Sequence, residues 1–352
     1  MRNSDITDVT IVGGGPAGLY ASFYSGMRDL STRIIEYQPK LGGKVHVYPE
    51  KMIWDVGGLT PVTGATLIDQ MAEQAVTFDP EIVLNEKVTK IEKNEDQLFV
   101  LTSNSGNQYV SRTVILAVGG GILNPIKIDI EGADRFEVTN LHYTVQSLEH
   151  FKGKNIIISG GGNSAIDWAN EFEPIANQVH IVHRKNEFKG HEAQIQQLMN
   201  SSVHVHLNST IEKLHANQEG NLIDAVSIHN HEINESIRLE TDDLIINYGY
   251  ERELTFIKES PLHIEIENDF FVKGTSKSAS SVEGLYAAGD ILAFDGKVHL
   301  IAGAFVDAAN AVNQAKLLLE PDAAAKARVS SHNAKFNAKN KELLKHLYQS
   351  SS

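Results

Sequence analysis

The chain has 352 residues, 41% of them hydrophobic, which suits about two domains with real cores. Its formal net charge of −14, from 31 Lys and Arg against 45 Asp and Glu, argues against a nucleic-acid binder, which needs a basic face. There is no Cys, so no disulfide, thiolate metal site or redox dithiol can form, and no apolar run reaches the ~18 residues of a membrane span.

The opening Met1-Arg2-Asn3-Ser4-Asp5 is polar and shows no leader pattern, so a cytoplasmic protein is expected. Val9-Thr10-Ile11-Val12 is β-prone and runs into Gly13-Gly14-Gly15-Pro16-Ala17-Gly18, followed by the helix-compatible Leu19-Tyr20-Ala21-Ser22. Gly13-x-Gly15-x-x-Gly18 therefore sits between strand and helix, the context that marks a dinucleotide site. Gly13 permits the turn, Gly15 admits a pyrophosphate to the backbone, and Gly18 lets helix pack on strand. The free N–H groups of the helix start then face phosphate. The next strand, Thr32-Arg33-Ile34-Ile35, ends in Glu36, 18 positions after Gly18, where a carboxylate takes a ribose hydroxyl. The bland alternative is a Gly-rich βα turn in an unrelated α/β protein.

The pairs Gly42-Gly43 and Gly57-Gly58 suggest backbone wrapped against a flat ligand. Tyr48 between them either stacks on a ring or only caps its loop. Gly64 to Phe78 reads as an amphipathic helix. Residues 87–92, 97–102 and 108–112 read as a meander, and 113–118 as a separate apolar strand ending in glycines.

The opening pattern then repeats. Asn155-Ile156-Ile157-Ile158-Ser159 leads to Gly160-x-Gly162-x-x-Ala165, with Asn163 at the helix start. The following strand, Gln178 to Val182, ends in His183-Arg184-Lys185, with Lys189 beyond, and not in an acid. Cations at that position attract a 2′-phosphate, so Arg184, Lys185 and Lys189 read as selecting NADP over NAD. A solvated basic loop is the bland alternative. Asp243 to Gly249 closes this inner unit. Leu285-Tyr286-Ala287-Ala288-Gly289-Asp290 is an apolar strand ending Gly-Asp, and a long helical pattern covers Leu300 to Leu319. Asp290 suits either a bond from a sugar-alcohol chain or an ordinary turn. The tail beyond Pro321 holds Lys326, Arg328, Lys335, Lys339, Lys341 and Lys345, the one clearly basic stretch, either a solvated face or a dock for an acidic partner.

Two glycine motifs plus Tyr286-Ala287-Ala288-Gly289-Asp290 resemble the two-dinucleotide-binding flavoprotein fold of thioredoxin reductase. That family carries Cys-x-x-Cys in its inner domain, and this chain has none. The sequence is more similar to the type 2 ferredoxin/flavodoxin–NADP reductases of thioredoxin-reductase type. Tyr48-Pro49-Glu50-Lys51, Trp54-Asp55-Val56-Gly57-Gly58, Leu141-His142-Tyr143, Gly160 to Trp168, His183-Arg184-Lys185, Asp242 to Gly249 and Gly296 to Ala302 carry the resemblance. It implies two Rossmann-like, three-layer ββα domains, with an NADP domain (121–250) inserted into an FAD domain (1–120 and 251–352).

The resemblance also implies FAD held by Gly13, Gly15, Gly18, Glu36, Lys44, Val88, Leu123 and Asp290, with Tyr48 stacked on the flavin. NADP is implied at Gly160, Gly162, Asn163, Ala165, Arg184, Lys185 and Lys189. His332 is the implied cover of the other flavin face, across a homodimer. Two departures stand out: Lys44 where Gln is usual, and Asn333-Ala334 where Ser-Thr is usual. The implied activity is hydride transfer from NADPH to flavin N5, then one-electron steps to ferredoxin or flavodoxin, with no protein acid or base needed for the hydride. The alternatives are an NADPH oxidase or diaphorase using oxygen or quinones, and a non-enzymatic nucleotide-binding redox sensor. No nucleic acid or membrane is expected as a partner.

Overall fold

The computed structural model describes residues 6–121, 124–251 and 253–349. The chain forms two units, Met1–Ile122 with Arg252–Ser352, and Leu123–Glu251. Among the described residues, no helix is long and apolar enough to cross a membrane.

The first unit begins with β1 (Ile6–Val12), α1 (Pro16–Met27) and β2 (Thr32–Ile35). A short hairpin of β3 (Met52–Ile53) and β4 (Val62–Thr63) leads into α2 (Gly64–Ala75), then β5 (Glu81–Val83), β6 (Val88–Lys93), β7 (Phe99–Ser103) and β8 (Gln108–Leu116). The sheet order is β5-β2-β1-β8-β7-β6, parallel from β5 to β8 and antiparallel through the meander. Val9, Ile11, Ile34 and Ile115 lie wholly inside, each contributing about 1.5–3 kcal/mol by burial.

One strand differs from expectation. Residues 108–112 and 113–118 were separate in the sequence reading because Ser111, Arg112 and Thr113 interrupt the apolar pattern; they form the single β8. Its neighbour β1 pairs with it along its length, from Ile6↔Val110 to Val12↔Leu116. The interrupting hydroxyls are satisfied: Ser111 donates along its own strand to Thr113 O at 2.7 Å, and Thr113 donates across to Asp8 O of β1 at 2.7 Å.

The second unit contains β9 (Leu141–His142), β10 (Asn155–Gly160), α3 (Asn163–Phe172), β11 (Gln178–Val182), α4 (Glu192–Met199) and β12 (His204–His206). β13 (Ser209–Ala216), β14 (Ile223–Asn230), β15 (Glu235–Glu240) and β16 (Asp243–Asn247) follow. Its parallel sheet runs β12-β11-β10-β16-β9, and β13-β14-β15 form an antiparallel sheet. The two sheets share a core in which Ile157, Leu244 and Ile246 meet Ile223, Val226 and Ile228. Helix α3 lies against β10 and β11. This is the three-layer α/β arrangement expected for a Rossmann-like unit.

The chain then completes the first unit with α5 (Thr255–Lys258), β17 (Ile266–Glu267), β18 (Phe271–Lys273), β19 (Leu285–Ala287), β20 (Leu292–Ala293), α6 (Ile301–Leu319) and α7 (Asn337–Gln349). β19 pairs in parallel with the end of β8, on the edge that β7 occupies at its start. Helices α1 and α6 cover one sheet face through Ala17, Ala21, Ala304, Ala308, Ala311 and Ala315, small residues that bring the backbones close. Residues before α7 fold back on α1: Arg28 donates to Ala324 O at 2.6 Å, and Phe336 packs with Phe23 and Phe78.

At the β11–β12 edge, His180 stacks on His204 and His206, and its Nδ1 lies 2.9 Å from His206 Nε2. Burial, then the neighbouring His206 and His204, push the His180 imidazole down to about 4. The folded state therefore holds this ring neutral, while the unfolded chain takes up a proton near 6.5. Stability must fall as pH drops from about 6.5 toward 4, by roughly 1–2 kcal/mol after allowance for solvent screening at the sheet edge. Urea denaturation at pH 7.5 and pH 5 checks this: His180→Gln is expected to shrink the difference between the two midpoints.

Candidate functional site

In the first unit β1 delivers Gly13 at φ +107, where a Cβ would lie 2.4 Å from Ala117 O. A Cβ on Gly18 would lie 1.9 Å from Gly13 O, so the helix begins hard against the strand end. Gly15 is the N-cap of α1 and Pro16 its first residue, a position that needs no donor. Among the described residues, nothing accepts from the N–H groups of Ala17 and Gly18. These donors and the helix dipole make an anion cradle. The Gly42-Gly43 loop closes on the same turn: Gly42 N–H donates to Gly14 O at 2.8 Å, and a Cβ on Gly43 would be 2.8 Å from Gly15 Cα.

Glu36 is buried beside this turn. One carboxylate oxygen accepts Gly14 N–H at 2.5 Å and the other accepts Gln38 N–H at 2.7 Å. Two of about four acceptor positions are used, and the rest remain for hydroxyls. Gly289, at φ +78, approaches Ala17 so closely that a Cβ would be 3.0 Å from Ala17 Cβ; the exposed Asp290 therefore stands next to the start of α1. Tyr48 is half-buried, and its phenol is pushed up to about 12 by burial first, then by the Asp290 and Asp55 carboxylates. It stays a neutral ring with an intact O–H at any physiological pH. Lys44 is exposed on the helical turn Gly43–Val47 that leads to Tyr48.

Other expected residues are not brought here by their side chains. Val88 is buried in the sheet core. His332 is exposed, with its ring 3.2 Å from Ser331 Oγ. Leu123 lies outside the described residues.

One pair escaped the sequence reading. Lys297 and Asp307 form an ion pair whose side chains are only 4% and 5% exposed, and Asp307 also accepts Gly289 N–H at 3.1 Å. The signal was present: Asp307 interrupts the alanine stripe of α6, and a carboxylate on a buried helix face demands a cation.

In the second unit a Cβ on Gly160 would meet Asn247 O at 2.5 Å, and one on Gly161 would strike the His183 ring at 2.1 Å. Gly162 caps α3, and Ala165 is wholly buried beneath the turn. The loop after β11 is tied back onto it. Lys189 N–H donates to Gly161 O at 2.8 Å, His191 N–H donates to Asn163 Oδ1 at 2.8 Å, and His183 stacks on Phe188. Arg184, Lys185 and Lys189 are exposed on this loop, without an ion pair among the described residues. Three exposed cations thus stand on a loop whose backbone is tied to this glycine turn. In the tail, by contrast, Lys335 is committed to structure: it donates to Gly26 O at 2.8 Å, pairs with Asp29, and lies over the Phe78 ring.

Comparison with known proteins agrees with this geometry. The family model for pyridine nucleotide-disulphide oxidoreductases matches residues 7–315. The chain is 56% identical over 347 residues to a ferredoxin–NADP reductase 1 of Bacillus mycoides, covering 99% of each. It is equally similar, with the same coverage, to a ferredoxin–NADP reductase 2 of Exiguobacterium sibiricum. Among solved structures, thioredoxin reductase of T. acidophilum shares the fold at a TM-score of 0.74 and 23% identity, over 89% of this chain and 98% of that one.

Removing one member of the buried ion pair leaves an uncompensated charge. Lys297→Met is expected to lower unfolding free energy by about 3–5 kcal/mol. The double variant Lys297→Met/Asp307→Leu should regain more than half of that loss in the same urea titration.

Proposed function

From the chain's membership of the pyridine nucleotide-disulphide oxidoreductase family, shown by a match over residues 7–315, we propose that it is an FAD-dependent ferredoxin–NADP reductase. The first unit takes FAD. At Gly13 and Gly18 the cradle has room only for backbone, and the unused Ala17 and Gly18 N–H groups suit a pyrophosphate. Glu36 would take ribose hydroxyls, Asp290 the ribityl chain, and the neutral Tyr48 ring one flavin face. FAD, when bound, accepts electrons in pairs and passes them on singly. The protein groups position it and keep it from water.

The second unit takes NADPH, with the pyrophosphate on the Gly160–Gly162 turn and the 2′-phosphate on Arg184, Lys185 and Lys189. The contrast between the two strand ends is the observation that carries the reading. A held, buried carboxylate follows β2, and three unpaired cations follow β11. A carboxylate accepts from a free ribose hydroxyl and repels a phosphate, and the cations do the opposite. The lack of cysteine removes a redox dithiol of the chain's own, and the proposed acceptor is an external one-electron carrier. Ferredoxin or flavodoxin fits that role. A cytoplasmic location is part of this proposal, and the exposed Leu343 and Leu344 on α7 offer apolar surface to a second copy, the proposed homodimer with His332 at the partner's flavin.

Purified protein should be yellow and should bleach anaerobically far faster with NADPH than with NADH. Arg184→Glu/Lys185→Glu should lower kcat/KM for NADPH by about 100-fold or more, since two charge-assisted contacts are worth roughly 1.5–3 kcal/mol each. The value for NADH should move less than about threefold, because no contact to a 2′-phosphate is lost. Equal losses for both coenzymes would reject the assignment of these cations.

Lys339 and Lys341 are exposed and unpaired among the described residues, unlike Lys335, and are the proposed carrier-docking cations. Lys339→Glu/Lys341→Glu should weaken ferredoxin reduction at low salt and flatten its salt dependence, with the rate of flavin bleaching by NADPH unchanged. Measured ferredoxin reduction that stays the same at every ionic strength would remove the tail from the dock.

A further inference from the structure

The amino ends of the second unit's parallel strands carry a cluster that neither nucleotide uses. Asp243 opens β16, His142 closes β9, His150 lies in the helical turn Glu149–Phe151, and Lys154 directly precedes β10. His142 Nε2 is 2.6 Å and His150 Nε2 3.1 Å from the same oxygen of Asp243, Oδ1. The three donor atoms all lie within 4.8 Å of one another. We propose that His142, His150 and Asp243 bind one divalent transition-metal ion of the zinc class.

Three features support a site rather than a chance cluster. The spacing is close to what a metal needs: four donors about 2.0–2.1 Å from a tetrahedral zinc lie roughly 3.3 Å apart, and Asp243 Oδ1 is 2.6 and 3.1 Å from the two nitrogens. The donors are preorganised: the Asp243 side chain is 1% exposed, and the buried Phe151 ring packs edge-on against both imidazoles, at 5.3 and 4.7 Å. The hydrogen bonding is mismatched without a metal. His150 Nε2 faces an acceptor-only carboxylate oxygen and, at 3.1 Å, the donor-only ammonium of Lys154. One ring nitrogen cannot serve both.

Lys154, 2.9 Å from Asp243 Oδ2, is the cation that balances the carboxylate when no metal is bound. Its side chain is a third exposed and can swing out as a metal enters from the open side of His150. Two imidazoles and one carboxylate favour zinc, cobalt or nickel over magnesium or calcium. Three protein donors leave a fourth place for water.

The site lies at the opposite strand ends from the glycine turn. β10 spans six residues from Asn155 to Gly160, which at about 3.3 Å per residue separates the two by roughly 17–20 Å. The ion therefore acts as a staple joining β9, β16 and the Glu149–Phe151 turn, and it is reversible because Lys154 competes for the same carboxylate.

The test uses the full chain with its flavin, stripped with EDTA and desalted. Cobalt(II) is titrated while its d–d bands are followed, and zinc is then added by calorimetry. One ion per chain is expected, with no change in the rate of bleaching by NADPH. His150→Gln should raise the zinc Kd at least 30-fold, and Lys154→Met should lower it at least threefold by removing the competing charge. Both residues are surface-accessible, and thermal unfolding of each metal-free variant checks that it folds. Unchanged zinc binding in His150→Gln, or no tightening in Lys154→Met, overturns the site. Loss of coenzyme preference elsewhere in the chain would not bear on these readouts.

Discussion

Backbone touches backbone at each strand–helix turn, and everything else is arranged around that contact. At the first turn a Cβ on Gly18 would fall 1.9 Å from Gly13 O; at the second, one on Gly160 would fall 2.5 Å from Asn247 O. No rotamer relieves a clash with a main-chain oxygen. Three glycines separate β1 from α1, and two separate β10 from α3. Among the described residues the Ala17 and Gly18 N–H groups of α1 then have no acceptor, whereas at the second turn Ala165 N–H donates to Gly162 O at 3.1 Å. A polar cradle open to an anion is thus a direct consequence of close packing. The alanine stripe of α6 extends the same logic, since small residues let a second helix lie close to the sheet that carries the first turn.

The two cradles differ in what flanks them, and the difference is one of burial as much as of sign. Glu36 is inside, with each oxygen fixed by a backbone N–H. A fixed carboxylate reads the geometry of hydroxyl groups. Arg184, Lys185 and Lys189 are outside, on a loop whose backbone is tied to the turn by Lys189 N–H and His191 N–H. Their side chains keep their hydration and their freedom until an anion arrives. A surface pair is worth little on its own, about 0–1 kcal/mol. Three exposed cations on one tied-back loop would act together on an anion bound there, and the proposed coenzyme preference rests on that.

Much of this was visible in the residues before the fold was. β11 spans the expected residues, α2 falls inside the expected helix, and both glycine turns stand between strand and helix. These features follow from local chemistry: period-2 and period-3.6 patterns, and turns that only glycine can make. What was not legible depends on partners distant in sequence. β8 looked like two strands because Ser111 and Arg112 precede the apolar run, and only its pairing with β1 from Val110 to Leu116 shows that it is one. Lys335 looked like one more tail charge, although it is pinned to Gly26 and Asp29. His332 resembles the family's covering His in sequence, but here it is exposed beside Ser331 Oγ.

The buried Lys297–Asp307 pair shows why a fold keeps an interaction that apolar residues could replace at little loss of stability. Two hydrophobic side chains would fill the same volume. They would not accept the N–H of Gly289, and a buried backbone donor without a partner costs roughly as much as a lost hydrogen bond. Asp307 answers that donor, and Lys297 neutralises Asp307. The turn they hold has a positive φ and presses against Ala17, so even a small movement would shift Asp290 relative to the anion cradle. The ion pair is therefore better understood as fixing position than as adding stability. Its own energy nearly cancels against desolvation, while the geometry it imposes decides whether Asp290 and the start of α1 can hold one ligand together.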